Sequence, residues 1–412
     1  MSGVTEKNRI RTNRLYLYLL FMHTRKMKLA FVCHSIGHLS EVWMWRQITG
    51  FQKFKPHVFT WEYVNSEQFS LNGTQLNIIP FRARPEQMRG RARWIYRLKC
   101  VPYMNFYASV GAERQFIRKL LSETKPDVML CQFGHAALRL ISIAEQMKIP
   151  IAAHFHGLDL SSSLNSRWYM WSLLPALKKF NVIIVVGSHQ KKWLIEQGVP
   201  KSKVHIIPCG VPTDVFEYKT RDPSTITQFI CVSRLTEGKG VEYSIRAFNE
   251  VFEKNQNVRM VIIGNGPLKS NLKSLSENLG LEKHITFAGA LFPDQVRNYL
   301  CESDVFLQHS ITGSDGWEEG FGVSITEAAA TGLPVIATRC GGISDQVIDG
   351  TTGYLVEQRD FHAMAKFMLK LAAEPALKKE MGLAGRENAV ANFDTKKQIS
   401  KLEAVLMECS TN

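Results

Sequence analysis

Phe229-Ile230-Cys231-Val232-Ser233-Arg234 is a short apolar run that reads as a strand, and Leu235-Thr236-Glu237-Gly238-Lys239-Gly240 follows it as a turn with two glycines. Residues 241–254 then carry amphipathic helical spacing, and 258–264 is a second apolar run. Strand, turn, helix, strand is one βαβ unit, and two strands joined by a helix must lie parallel. A parallel sheet is buried on both faces, so its strands read as continuous apolar runs rather than as alternating ones.

Working outward, the same rhythm fills the chain twice. Strand candidates fall at 28–35, 57–63, 76–81, 127–133, 149–156 and 182–187, and again at 229–234, 258–264, 284–289, 304–309 and 334–338. Amphipathic stretches at 40–50, 104–124, 241–254 and 360–373 lie between them. Between 203 and 222 the prolines 208 and 212 flank Gly210, and Pro223 follows, which reads as a linker. The expected organisation is an α/β fold of two doubly wound, Rossmann-like domains facing a cleft. The N-terminal domain spans 27–207 and the C-terminal domain 208–393, with a terminal helix in 394–412 that could dock back on the first domain. Functional residues should then lie in the loops after the strands.

With 412 residues and 45% hydrophobic content, two cores are the natural expectation, and 21% charged residues exclude bulk disorder. The 51 Lys and Arg against 37 Asp and Glu give a net charge of +14, which favours anionic partners. The eight cysteines include no C-x-x-C pair and several lie inside strand runs, so they read as small core residues in a reducing compartment. Residues 1–26 are strongly basic, and their apolar run 15–22 is too short to span a bilayer. They read as a loose basic extension, or as residues preceding a native start at Met27.

The densest chemistry is Glu318-Glu319-Gly320-Phe321-Gly322-Val323-Ser324-Ile325-Thr326-Glu327. Its glycines allow close backbone approach, and a helix starting near Gly322 would aim unpaired N–H groups at phosphate. Glu327 has two carboxylate oxygens for a ribose diol, and Glu319 can reach a sugar hydroxyl. Arg234 and Lys239 flank the Gly-rich turn, where two cations can neutralise a diphosphate. The chain has no Asp-x-Asp, the carboxylate pair a metal-dependent transferase would use. His154 and His156 close a strand on one face, but no third zinc ligand stands at sensible spacing.

Taken together, these motifs resemble glycosyltransferase family 4, in a branch that resembles colanic acid-type bacterial polysaccharide glycosyltransferases. The pattern of Glu319, seven residues and Glu327 within Glu-Gly-Phe-Gly-Val resembles that family's donor site. Ser233–Gly240 resembles its phosphate loop, and Val261-Ile262-Ile263-Gly264-Asn265-Gly266-Pro267 its strand and turn by the nucleotide. Gly341-Gly342-Ile343-Ser344-Asp345 resembles its Gly-Gly turn, with Asp345 where Glu is usual.

The resemblance implies a GT-B fold and a retaining, metal-independent glycosyltransferase. Its only cofactor-like ligand would be the substrate, a nucleotide diphosphate-sugar. His156, Glu319, Arg234 and Lys239 would be catalytic, and Glu327, Gly264, Gly266, Gly320, Phe321, Gly322 and Val323 would bind donor. His156 matches a family histidine near the donor sugar, in a His-Gly-x-Asp run ending at Asp159. The first domain matches less well: one glycine, Gly37, stands where many members have two, and Gly37, Ser40 and Glu41 are the candidate acceptor contacts. The implied acceptor is a glycan or lipid-linked oligosaccharide in exopolysaccharide, capsule or lipopolysaccharide assembly.

The basic segment 82–99, with Arg82, Arg84, Arg89, Arg91, Arg93, Arg97 and Lys99 beside Trp94 and Tyr96, suits an anionic membrane surface, a lipid-pyrophosphate acceptor or a solvated loop. No nucleic-acid motif accompanies it. The expected location is cytoplasmic, peripheral on the inner face of the plasma membrane. Two rivals share these features: a sugar-nucleotide epimerase of the same fold, which would convert donor without acceptor, and a non-catalytic nucleotide-sugar-binding partner.

Overall fold

A computed structural model describes residues 26–71, 73–81, 88–220 and 226–411. Residues 1–25 of the basic extension 1–26 and the basic residues Arg82 and Arg84 therefore lie outside the described residues.

The first sheet is built from β1 (Met27–Ile36), β2 (Phe54–Tyr63), β3 (Gln75–Ile78), β4 (Val128–Gln132), β5 (Ile151–Phe155), β6 (Val182–Val185) and β7 (Val204–Ile206). Its order is β3-β2-β1-β4-β5-β6-β7, and every pairing is parallel. The second contains β8 (Thr227–Val232), β9 (Val258–Ile263), β10 (Ile285–Gly289), β11 (Val305–Gln308), β12 (Val335–Thr338) and β13 (Gly353–Val356), in the parallel order β10-β9-β8-β11-β12-β13. In each sheet the chain first runs one way and then crosses to the other side, so β1/β4 and β8/β11 are the switch points where such sheets leave a crevice.

The fold is the expected two-domain α/β arrangement. Two strands lie beyond the expected set, β7 and β13. β7 has only three residues, too few to declare a period, and lies just inside the stretch read as linker. β13 opens on Gly353 directly after a turn, yet all four of its residues are buried. The helical stretch expected over 104–124 is confined to Gly111–Thr124, and the basic segment enters a separate helix, Gly90–Cys100. Among the described residues no helix is long and apolar enough to cross a membrane. All eight cysteines are free, and all but Cys301 are buried.

Each sheet has an apolar cluster on either face. The terminal helix Thr395–Thr411 belongs to the first domain: Ile399, Leu402, Leu406 and Cys409 share a cluster with Leu29, Trp43 and Ile48. Glu403 Oε1 accepts hydrogen bonds from the backbone N–H groups of Gln52 and Lys53, both at 2.6 Å. The chain thus crosses between the domains twice, and the crossings pair. Val211 N–H donates to Phe393 O at 2.9 Å, and Thr395 N–H donates to Val211 O at 3.0 Å.

Candidate active site

The two switch points face each other across a cavity of about 790 Å³. The first domain supplies the turn after β1 and the helix Val42–Gly50, with Ser40, Glu41, Trp43 and Arg46, and the β5 exit with His156 and Gly157. The second supplies the β8 turn with Arg234 and Lys239, the β9 turn with Gly264, and the stretch Glu319–Ser324 with Glu327. Residues as far apart in sequence as 40 and 327 therefore line one space.

The helix Val323–Ala330 starts as the sequence suggests, with Gly322 at its N-cap. The Gln346 side chain binds Gly322 at both backbone groups, accepting from N–H at 2.9 Å and donating to O at 2.8 Å. Its first N–H groups, those of Val323 and Ser324, have no intrahelical partner by construction and stand at the cavity wall. Glu319 is 5% exposed and accepts from Lys239 Nζ and, at 3.3 Å, from Ser310 Oγ. The Lys239 ammonium also stands 4.9 Å from the Trp317 ring centroid, a cation–π contact. Arg234 is exposed at the cavity wall.

Glu327 is paired. Its Oε1 accepts from Arg46 Nη2 at 2.9 Å, and Arg46 belongs to the opposite domain. Burial pushes the Glu327 carboxyl up from its ordinary range, and the Arg46 charge pulls it back. Glu41 is likewise raised by burial and drawn down by His38 and by Arg234 across the cleft.

His156 is 6% exposed and packed between rings, with Trp43 at 4.2 Å, His154 at 4.4 Å and Phe133 at 4.7 Å between centroids. Gln132 Nε2 donates to Gln47 Oε1 at 2.9 Å, which leaves Gln132 Oε1 as acceptor toward His156 Nε2 at 3.0 Å. That assignment puts the ring proton on Nε2 and the lone pair on Nδ1, which faces Cys209 Sγ at 3.9 Å. Burial holds the imidazole well below its ordinary pKa, so it is neutral. Asp159 accepts from the backbone N–H groups of Gly134 and His156, both at 2.8 Å, and burial lifts its carboxyl to about 6. His154 and His156 do share one side of β5, and among the described residues no three His, Cys, Asp or Glu side chains are grouped to hold a metal.

Two expected site glycines stand behind the wall rather than in it. Gly37 has φ +90°, and a Cβ there would lie 1.9 Å from Val64 O; it turns the chain out of β1 against a neighbouring strand exit. Gly266 lets the β9 turn nest under the Arg234 loop, since its Cβ would meet Leu235 O at 2.4 Å. Asp345 lies outside the cavity too: it accepts from Ser188 N–H at 2.6 Å and Ser188 Oγ at 2.7 Å, capping a helix of the first domain from the second. Arg46, Gln132 and Trp317 were not singled out from sequence. Arg46 carried a usable signal, a lone charge in the apolar stretch Val42–Ile48, because such residues are seldom buried without a partner.

Two facing parallel sheets with a cationic turn and paired acids between them define a nucleotide-site architecture of the GT-B kind. Residues 52–215 match the family model Glycosyltransferase Family 4, and residues 215–388 match Glycosyl transferases group 1. The chain belongs to the glycosyltransferases these two adjoining matches describe.

It is 31% identical over 245 residues to WcaL of Escherichia coli strain K12, a protein named for colanic acid biosynthesis, covering 59% of this chain and 60% of WcaL. To a GDP-mannose-dependent alpha-(1-6)-phosphatidylinositol monomannoside mannosyltransferase of Mycolicibacterium smegmatis it is 28% identical, over 70% of this chain and 78% of that one. The chain thus spans about three fifths of the length of WcaL. The same fold is found in Anabaena HepE in complex with UDP, with a TM-score of 0.74 at 17% identity over 93% of this chain and all of that one. The lipopolysaccharide outer core galactosyltransferase WaaB shares it with a TM-score of 0.68 at 16% identity, over 93% of this chain and 99% of that one.

Proposed function

We propose that this protein is a retaining, metal-independent glycosyltransferase that moves a sugar from a nucleotide diphosphate-sugar to a hydroxyl of a glycan or lipid-linked acceptor in polysaccharide or lipopolysaccharide assembly. The observation that carries this reading is the single cavity in which Arg234, Lys239, Glu319 and Glu327 of one domain face His156, Ser40 and Glu41 of the other. The names of WcaL and WaaB and the UDP held by HepE support the same class of reaction.

In this reading Glu327 receives the ribose diol, and the diphosphate lies between Arg234, Lys239 and the first N–H groups of helix Val323–Ala330. An ammonium has three donors, so Lys239 can hold Glu319 and a phosphate oxygen together. Glu319, fixed by Lys239 and Ser310, meets a hydroxyl of the transferred sugar, and His156 Nδ1 accepts from another. The acceptor hydroxyl attacks the anomeric carbon from the face the diphosphate leaves. The carbon–oxygen bond to phosphate breaks, and the departing phosphate oxygen takes the bonding pair and the acceptor's proton. The protein's part is to place the reactants and stabilise the charge gathering on the diphosphate.

Docking at the inner face of the plasma membrane fits an exposed surface of the first domain. Helix Gly90–Cys100 carries Arg91, Arg93, Arg97 and Lys99 with exposed Trp94 and Leu98. The Arg97 guanidinium lies 3.8 Å from the ring centroid of Trp168, which is exposed with Trp171 and Leu174 on a neighbouring helix. Cations interleaved with aromatics suit anionic headgroups.

The test is a panel of UDP-, GDP- and ADP-sugars with lipid-extract acceptors, read as nucleoside diphosphate release. Release that depends on acceptor supports the transferase. Conversion of donor without acceptor would assign the epimerase, and binding without turnover a non-catalytic partner. Sedimentation with anionic and with neutral vesicles tests the membrane surface; equal binding to both refutes it.

A further inference from the structure

Arg46 has a role in the site that the family pattern does not assign. It is 8% exposed, rises from helix Val42–Gly50 of the first domain, and ends inside the cavity. Nη2 is used: it donates to Glu327 Oε1 at 2.9 Å. Nη1 is buried and has no hydrogen-bond partner among the described residues. A guanidinium offers its donors in a fixed plane, so when Nη2 is pinned on Glu327 the direction of Nη1 is set as well. A buried donor without an acceptor is costly, and the group that relieves it must bring an oxygen into the cavity. The Phe216 ring, 5.7 Å from the guanidinium carbon, lies in the stretch where the chain crosses between domains.

We infer that Arg46 is a nucleotide-binding residue contributed by the first domain: it holds the Glu327 carboxylate through Nη2 and offers Nη1 to an oxygen of the bound nucleotide. The inference rests on the reading that Glu327 meets the ribose. Because Arg46 and Glu327 come from opposite domains, nucleotide binding and cleft closure become one event. A nucleotide that satisfies Nη1 also strengthens the bond that draws the domains together.

The experiment is calorimetric titration of UDP, GDP, ADP, CDP and dTDP, with the 2′-deoxy form of whichever ribonucleotide binds, into wild type, R46Q, R46K, E327Q and the R46Q/E327Q double variant. R46Q should weaken binding by about tenfold or more, the loss of one buried charge-assisted hydrogen bond. R46K, with one point charge in place of a fork, should fall between. In the double variant the loss should be clearly smaller than the product of the two single losses, because the residues act as a unit. A purely structural Arg46 would lower melting temperature without that coupling. Binding by R46Q or R46K within about twofold of wild type, or strictly multiplicative losses, would overturn the proposal. If E327Q leaves the discrimination against 2′-deoxynucleotide intact, the ribose reading of Glu327 fails, whatever Arg46 does. Binding of none of the five nucleotides refutes both. Should R46Q not fold, R46K, which keeps a cation for the buried carboxylate, decides the matter.

Discussion

Gly320→Ala should separate donor binding from transfer. The backbones of Gly320 and Gly157 cross where the two domains touch. A Cβ on Gly320 would lie 2.6 Å from both Cα and N of Gly157, and 3.1 Å from the carbonyl carbon of His156. All three are backbone atoms, so no side chain can swing away. Ordinary contact begins near 3.4 Å, so the domains must part by about 0.8 Å at this point. The parting falls between Glu319 and His156, the neighbours of the two glycines. Misplacing reacting groups by about 1 Å costs on the order of 100-fold in rate.

The β8 turn and helix Val323–Ala330, which the proposed nucleotide site uses, lie within the second domain and move with it, whereas the proposed Arg46 contact crosses the cleft. The expected result is a fall in transfer rate of about 100-fold with a smaller loss of nucleoside diphosphate affinity, no more than the roughly tenfold carried by the Arg46 contact across the cleft, because the misplacement acts mainly on the reacting pair. Initial rates at saturating donor and acceptor, beside calorimetric titration, measure both. Transfer within about twofold of wild type would refute the crossing as a positioning contact, and an equal loss of nucleotide affinity would show that the whole site had been disturbed.

Burial holds the His154 imidazole down at about 3, so between pH 3 and 6.5 the unfolded chain binds a proton the folded one does not. Stability from this group is therefore lost as pH falls below 6.5, and His154→Leu should flatten the acid limb by about 1.4 kcal/mol per pH unit, read from urea unfolding at pH 4.5 to 6.5; identical slopes would count against it. Asp159, lifted to about 6, acts with the opposite sign because the folded state keeps a proton the unfolded chain has released. Asp159→Asn should accordingly steepen the same limb. Glu403→Ala leaves the N–H groups of Gln52 and Lys53 without their shared acceptor and loosens the terminal helix, at a cost of about 2–4 kcal/mol. Hydrogen exchange should show the loss confined to Thr395–Thr411 and the strand edge at Phe54, and unchanged protection there would refute the docking role.

Much of this protein is legible in its amino-acid sequence. The apolar runs around β1, β5, β8 and β9 declare strands because a parallel strand buried on both faces has no polar alternation to disguise it. The stretch from Glu318 to Glu327 declares a helix N-terminus beside two carboxylates because glycine and acid spacing are local properties. β7 escaped because three residues cannot establish a period, and β13 because Gly353 reads as turn wherever its burial is unknown. The glycines illustrate the boundary. Gly320 and Gly37 look alike in sequence, yet one lies where the domains touch and the other packs behind the first strand, because what a missing Cβ makes room for depends on a neighbour far along the chain.

Sequence by itself determined the fold class, the two-domain division and the residue types that line the candidate site in the second domain, all consequences of short-range pattern. Tertiary structure alone decided that the last helix returns to the first domain, that Asp345 caps a helix across the cleft, and that Arg46 meets Glu327. Those contacts join residues 157 to 351 positions apart. Nothing in local spacing specifies such a pairing; it follows only when two sheets, packed on their own cores, present their switch points to each other.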